Sequence, residues 1–173
     1  MIYFKTLETP VGKMVAADFD GQLSMLEFDG NSALERINLL TRVLKSEARD
    51  GNTDLIALAS GQLKEYFQKK RRHFELPLYL AGSEFQKTVW NMLLSIPYGK
   101  TTSYGWIASK LGKPMAVRAV GRANGCNRIA IVVPCHRVIG QNGDLVGYGG
   151  ELWRKKWLLE HEGALPSEAG LMV

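Results

Sequence analysis

Five consecutive apolar residues, Ile129, Ala130, Ile131, Val132 and Val133, run directly into Pro134-Cys135-His136-Arg137. A run of this kind has to be buried. Proline fixes its own φ and pushes the residue before it towards extended backbone, so it ends the run sharply. Any fold for this chain must therefore deliver a thiol and an imidazole, side by side, at the edge of a core. The chain has only two cysteines, Cys126 and Cys135. That is too few for a disulfide-stapled domain, and no Cys/His pairs stand at zinc-ligand spacing, so neither a metal nor a disulfide framework is expected. Two readings of Cys135 stay open on composition. Free cysteine often acts as a small inert hydrophobe, but a following base and a fixed positive charge are the neighbours that favour thiolate.

Charge is uneven along the chain. Residues 1–82 hold 11 Lys+Arg and 11 Asp+Glu, whereas residues 83–163 hold 11 and 5 and the tail adds Glu168, so the whole net charge of +5 arises in the second half. A basic balance confined to one region fits either a nucleic-acid partner or a solvated cationic face. No run of eighteen apolar residues occurs, and Met1-Ile2-Tyr3-Phe4-Lys5-Thr6 lacks the basic and apolar regions of a leader. The expectation is a cytoplasmic protein with reduced thiols and no membrane contact.

The pattern of elements predicts an α+β chain. Glu8-Thr9-Pro10-Val11-Gly12 and Phe19-Asp20-Gly21-Gln22 are turn signals between short apolar runs, which makes the first 28 residues an antiparallel meander. Asn31 or Ser32 is placed to cap a helix running to about residue 49, with Leu34, Ile37, Leu40, Val43 and Leu44 on one face. A second helix, 54–71, turns Leu55, Leu58, Ala59, Leu63, Tyr66 and Phe67 inward. Lys69-Lys70-Arg71-Arg72 at its end either contacts phosphate or offsets the helix dipole. The stretch from His73 towards Gly82 has no helical period and marks a boundary, giving domains 1–82 and 83–163 and a loose tail, 164–173.

The second domain reads as mostly helical. Ser83 is placed to cap a helix carrying Phe85, Val89, Trp90, Leu93 and Leu94. Two short helices, 104–111 and 115–124, are separated by Gly112-Lys113-Pro114 and resemble a helix-turn-helix with Arg118 and Arg122 on the second. Ala119, Gly121 and Ala123 give that helix a face of small side chains, suited either to close protein packing or to a DNA minor groove. A final helix spans 152–161, with Trp153, Trp157 and Leu158 as its apolar side.

At this point the residues resemble a known family. Ile131-Val132-Val133-Pro134-Cys135-His136-Arg137-Val138-Ile139-Gly140, with Arg118-Ala119-Val120-Gly121 before it and Trp157-Leu158-Leu159-Glu160-His161-Glu162-Gly163 after it, is similar to the O6-alkylguanine-DNA alkyltransferases in their stand-alone bacterial form. The likeness covers residues 83–163. Residues 1–80 match only in layout, for which the resemblance implies an RNase H-like fold. It further implies a cofactor-free, monomeric suicide protein acting on double-stranded DNA that contains O6-alkylguanine, or O4-alkylthymine.

By the same resemblance Cys135 takes the alkyl group, His136 draws off the thiol proton through a water, Glu162 orients His136, and Asn127 braces the turn. Tyr104 would donate at N3 of the base, the carbonyls of Cys135 and Val138 would accept from its exocyclic amine, and Tyr148 would wall the pocket. Arg118 would replace the flipped nucleotide, with Ala119, Gly121, Arg122, Ala123 and Asn124 in the minor groove and Arg128 on a phosphate. Gly149 stands where many members carry a serine, which leaves that contact to the backbone and implies room for alkyl groups larger than methyl. From the residues alone, a cysteine hydrolase and a non-catalytic helix-turn-helix regulator also remain open.

Overall fold

A computed structural model describes residues 1–30 and 32–165. The chain divides into two compact units, the first made of Met1–Ala81 with Arg128–Ala130, the second of Gly82–Asn127 and the chain from Ile131 onward.

In the first unit, β1 (Ile2–Thr9), β2 (Gly12–Phe19) and β3 (Gln22–Phe28) form the expected meander. Asp20 and Gly21 both take positive φ, the requirement of the tight hairpin turn that Asp-Gly signals. Helix α1 (Ala33–Leu44) follows, but it stops short of residue 49. Lys45 adopts a left-handed conformation there, and the freed chain becomes β4 (Ala48–Asp50), which pairs parallel to β1. The sheet order is β3-β2-β1-β4, so the meander gains a crossover strand that its turn signals did not announce. Ile37 and Leu40 enter the core beside Ile2, Val15, Ala17 and Met25. Leu34, 70% exposed, and Val43 do not, and Leu58 of α2 (Asp54–Phe67) is exposed as well. Each lies just outside a stripe that is narrower than the sequence suggested. Of the two cap candidates, Asn31 falls outside the described residues, and Ser32 makes no side-chain cap bond.

After α2 the chain is tied down. Gln62 donates to the Glu75 carbonyl and accepts from the Glu75 N–H, at 3.0 and 2.8 Å, and Leu23 of β3 exchanges backbone bonds with Pro77 and Tyr79. The stretch read as a connection is thus pinned to β3 by an isolated bridge, Leu23 to Leu78. On the same strand, Leu26 bonds Arg128 and Ala130 through its backbone, which brings that short segment into this unit.

The second unit is mostly helical. Helix α3 (Glu84–Leu94) begins with a full capping box between Ser83 and Gln86. Helix α4 (Tyr104–Lys110), capped by Ser103, and α5 (Val117–Gly125) form the helical hairpin, with Gly112 left-handed at the end of α4. Between α3 and α4 lies β5 (Thr102–Ser103), which pairs parallel with β6 (Val138–Ile139). Helix α6 (Leu152–His161) closes the unit. Residues 131–134 are buried, as their composition demands, but as consecutive turns rather than a strand. Ile131 takes a φ of 70°, rare for a β-branched residue.

Trp90 organises these helices. It is buried on α3, and its indole N–H donates to the Ala123 carbonyl of α5 at 2.8 Å. Gly82 makes room for it, because a Cβ at this position would fall 2.4 Å from Cη2 of the indole. Gly82→Ala is expected to cost about 1–3 kcal/mol by overpacking and to lower the melting temperature by about 3–8 °C, read by calorimetry against wild type.

Candidate active site

The site grows out of the turns that follow the apolar run. Asn127, just past α5, donates its amide to the Val133 carbonyl at 2.8 Å, and the Cys135 N–H donates to the same carbonyl at 2.8 Å. A short 3-10 turn, Cys135–Arg137, then closes with the Val138 N–H donating to the Cys135 carbonyl. Cys135 is 6% exposed. Burial pushes its thiol above the ordinary range, and hydrogen bonding from Asn127, the charge of Lys155 and nearby backbone N–H groups only partly oppose this. The environment read from the sequence as favouring thiolate therefore holds a protonated thiol at rest, since desolvation outweighs the local positive charge.

His136 and Arg137 converge on one carboxylate. His136 Nε2 lies 2.7 Å from Glu162 Oε1, while Arg137 donates from Nε to Oε2 at 2.8 Å and from Nη2 to Oε1 at 3.0 Å. The remaining Arg137 nitrogen, Nη1, donates to the Ile96 carbonyl at 2.7 Å, and the Gly99 N–H reaches Glu162 Oε2 at 3.4 Å. All three side chains are buried. Burial alone would raise the Glu162 carboxyl, but the hydrogen bonds from His136 and Arg137 and the charge of Arg137 prevail and hold it far below the usual range. For His136 burial lowers the value and prevails over Glu162, so the imidazole is neutral at neutral pH. With Nε2–H donating to a carboxylate, the lone pair sits on Nδ1, which has no hydrogen-bond partner among the described residues. The result is a neutral base with a fixed tautomer and a free acceptor.

Tyr104 opens α4, and its hydroxyl donates to the Val146 carbonyl at 3.0 Å. Burial, then the charge on a Cys135 thiolate, raise it, so it stays a protonated donor. Tyr148 is raised further by the same causes. Both belong with Lys155, which sequence reasoning missed. It is 0% exposed on α6, and its ammonium donates to the carbonyls of Val146 at 2.9 Å and Gly147 at 3.2 Å, fastening the loop that carries Tyr148. Burial brings it down to about 8. Its signal was the helical stripe Leu152, Lys155, Leu158, Leu159, a lysine standing among apolar residues. Gly149 is exposed, and a Cβ there would meet nothing within 4 Å. Among the described residues no group of three or more His, Cys, Asp or Glu is arranged to hold a metal.

Helix α5 has two faces. Arg118 and Arg122 are exposed, and Ala119 and Gly121 are partly so. Ala123 and Asn124, expected on the same outward face, are 3% and 4% exposed and point inward. Their spacing from Val120 puts them on its buried side, and Asn124 donates to the Cys135 carbonyl at 3.4 Å. Arg128 is partly buried and falls in the first unit. Cys126 is exposed at the end of α5.

The family model for the 6-O-methylguanine DNA methyltransferase DNA binding domain matches residues 84–164, and that for the ribonuclease-like domain of the same proteins matches residues 2–80. The chain belongs to the 6-O-methylguanine DNA methyltransferase family. It is 42% identical over 164 residues to a methylated-DNA–protein-cysteine methyltransferase of Mycobacterium bovis, covering 94% of this chain and 93% of the relative. To the constitutive enzyme of that name from Bacillus subtilis it is 43% identical, covering 87% and 88%. The crystal structure of Mycobacterium tuberculosis O6-methylguanine methyltransferase superposes with a TM-score of 0.81 at 40% identity over the whole of both chains. A structure of Mycobacterium tuberculosis OGT in complex with DNA gives 0.80 at 40% identity over 99% of each. The α+β class expected from the sequence, an N-terminal antiparallel sheet with helices followed by a mostly helical part, is borne out. No helix among the described residues is long and apolar enough to cross a membrane.

The carboxylate at the centre of this methyltransferase-family site ties stability to pH. Glu162 is held below its unfolded value, so its stabilisation is complete above about pH 4.3 and is lost as pH falls below that. His136, also depressed, adds a loss beginning below about pH 6.5, where the unfolded imidazole takes up a proton that the buried one refuses. The wild-type melting temperature is expected to fall steadily over that range. Glu162→Gln, less stable at neutral pH by about 3–5 kcal/mol because Arg137 loses its buried partner, should lose less further stability below about pH 4.3. Thermal melts of both proteins across the range check this.

Proposed function

We propose that this family member repairs O6-alkylguanine in double-stranded DNA by transferring the alkyl group, once and irreversibly, to Sγ of Cys135, with O4-alkylthymine as a second substrate. The observation that carries the reading is the buried neutral imidazole of His136, held by Glu162 and adjacent in the chain to a buried protonated thiol. A thiol at rest needs a base, and a base with one nitrogen committed to a carboxylate has the other to offer. The Cys135 proton passes through a water to Nδ1 of His136, Sγ forms a bond to the alkyl carbon, and the carbon–O6 bond breaks. Its electron pair returns to the purine, which takes a proton at N3 from Tyr104. For this the Tyr104 hydroxyl leaves the Val146 carbonyl that it meets here. The products are guanine and a thioether, which no group in the site can cleave.

A thiol this buried cannot reach a stacked base, so the nucleotide is extruded, at a cost of a few kcal/mol. Arg118, exposed on α5, fills the gap, while Ala119, Gly121 and Arg122 lie along the minor groove and Arg128 contacts phosphate. The carbonyls of Cys135 and Val138 receive the exocyclic amine of guanine, and Tyr148 and Gly149 border the pocket. Damage recognition of this kind needs no sequence readout, so phosphate contacts dominate affinity. The protein works as a cytoplasmic monomer without a cofactor.

Intact-protein mass after incubation with a duplex containing one O6-methylguanine is the direct check. A gain of one methylene, stopping at one per protein and absent in Cys135→Ala, is expected; unchanged mass with the DNA retained would point to lesion binding without chemistry. Arg118→Ala should slow transfer from the duplex by about tenfold or more, while its loss of one cation flattens the salt dependence of binding by about one ion, measured by titration at several salt concentrations.

A further inference from the structure

Asn124 presents a puzzle of its own. It is 4% exposed on the inward face of α5, and among the described residues its side chain makes one hydrogen bond, from Nδ2 to the Cys135 carbonyl at 3.4 Å, near the limit of a useful bond. Its own Oδ1 is buried with no donor among the described residues. The opposite orientation of the amide would set two oxygens against each other, so the assignment is fixed by chemistry. A half-satisfied buried amide is a poor device for stability, and leucine would fill the same space without an unmet acceptor. What the side chain does accomplish is to occupy one particular oxygen.

That oxygen belongs to the nucleophile's own residue. It already accepts the Val138 N–H, which closes the 3-10 turn. A carbonyl has two lone pairs, and with Asn124 both are engaged. We propose that Asn124 is a specificity-determining positioning residue, the resident donor that the exocyclic amine of an entering guanine must displace from the Cys135 carbonyl. This rests on the alkyl-transfer reading above. A base that carries the amine exchanges one donor for another and leaves the amide of Asn124 behind, unpaired. A base without the amine leaves the Asn124 bond intact and loses little. Asn124 thereby narrows the preference for guanine and broadens the range of alkylated bases that the pocket accepts.

The experiment compares single-turnover transfer from two duplexes, one with O6-methylguanine and one with O6-methylhypoxanthine, the same lesion lacking the exocyclic amine. Wild type, Asn124→Leu and Asn124→Ser are measured at saturating protein; the serine is too short to reach the carbonyl and serves if the leucine variant does not fold. Each rate ratio is internal to one protein, so a general loss of activity cancels. The ratio of guanine to hypoxanthine is expected to rise by roughly threefold to tenfold in both variants, the effect of freeing one acceptor for a full hydrogen bond. Affinity for undamaged duplex should stay within about twofold, because the side chain is not on the outward face. An unchanged or smaller ratio with normal wild-type transfer overturns this proposal alone, as does a change in undamaged-duplex affinity large enough to account for the rates. A wild type that takes up no methyl from either duplex overturns the alkyl-transfer reading and this one with it.

Discussion

One buried carboxylate holds the reactive half of this molecule together. Glu162, at the end of α6, accepts from His136 and twice from Arg137, while Arg137 reaches on to the Ile96 carbonyl and the Gly99 N–H leans on the same carboxylate. Three separate pieces of chain are fixed through one group: the loop after α3, the 3-10 turn and the last helix. Desolvating two charges is costly and is repaid only when every donor and acceptor is matched. Here all the guanidinium nitrogens that face inward have partners, and one imidazole nitrogen is used. The nitrogen left over, Nδ1 of His136, is the one that the proposed proton transfer uses.

The same burial sets the character of the nucleophile. A thiol exposed beside His and Arg would be a thiolate at neutral pH, open to oxidation and to metals. Enclosed beside a neutral base it is dormant, and it becomes nucleophilic only when its proton has somewhere to go. For a protein that reacts once, a nucleophile spent on the wrong electrophile is a molecule lost, so restraint at rest matters as much as reactivity. Lys155 fits this balance. Its charge opposes the rise of the thiol without pairing to it, because its own hydrogen bonds go to the Val146 and Gly147 carbonyls.

Much of this was legible before any coordinates. The apolar run, the Pro-Cys-His-Arg turn, the Ser83 cap and the Asp20-Gly21 hairpin are local signals, and local signals survive in the fold. What escaped was set by partners distant in sequence. β4 exists because Lys45 turns left-handed and β1 offers an open edge, neither of which a helical period reveals. The pairing of β5 with β6 joins two-residue segments 36 positions apart in register, too short to leave a pattern. Only the resemblance singled out Glu162, since the sequence does not say that Arg137 and His136 fold back onto it. The resting protonation of the thiol was hidden for a related reason: neighbours in sequence advertise charge, whereas desolvation is a property of the whole enclosure.

Asn124 and Ala123 show the same limit on a single helix. The resemblance set Ala119, Gly121, Arg122, Ala123 and Asn124 together in the groove, but nine residues make only two and a half turns, about 13 Å, and both sides of so short a rod are in use. Arg118 and Arg122, four apart, stand outward, while Val120, Ala123 and Asn124, at the spacing of three and four, turn inward onto Trp90 and the Cys135 carbonyl. A helix this short has no room to bend between its faces. Any shift that DNA imposes on the arginine side must appear at the other side as a displacement of the Ala123 and Asn124 anchors. The exposed arginine face and the Cys135 carbonyl are thereby joined through one rigid element rather than through a path of side chains.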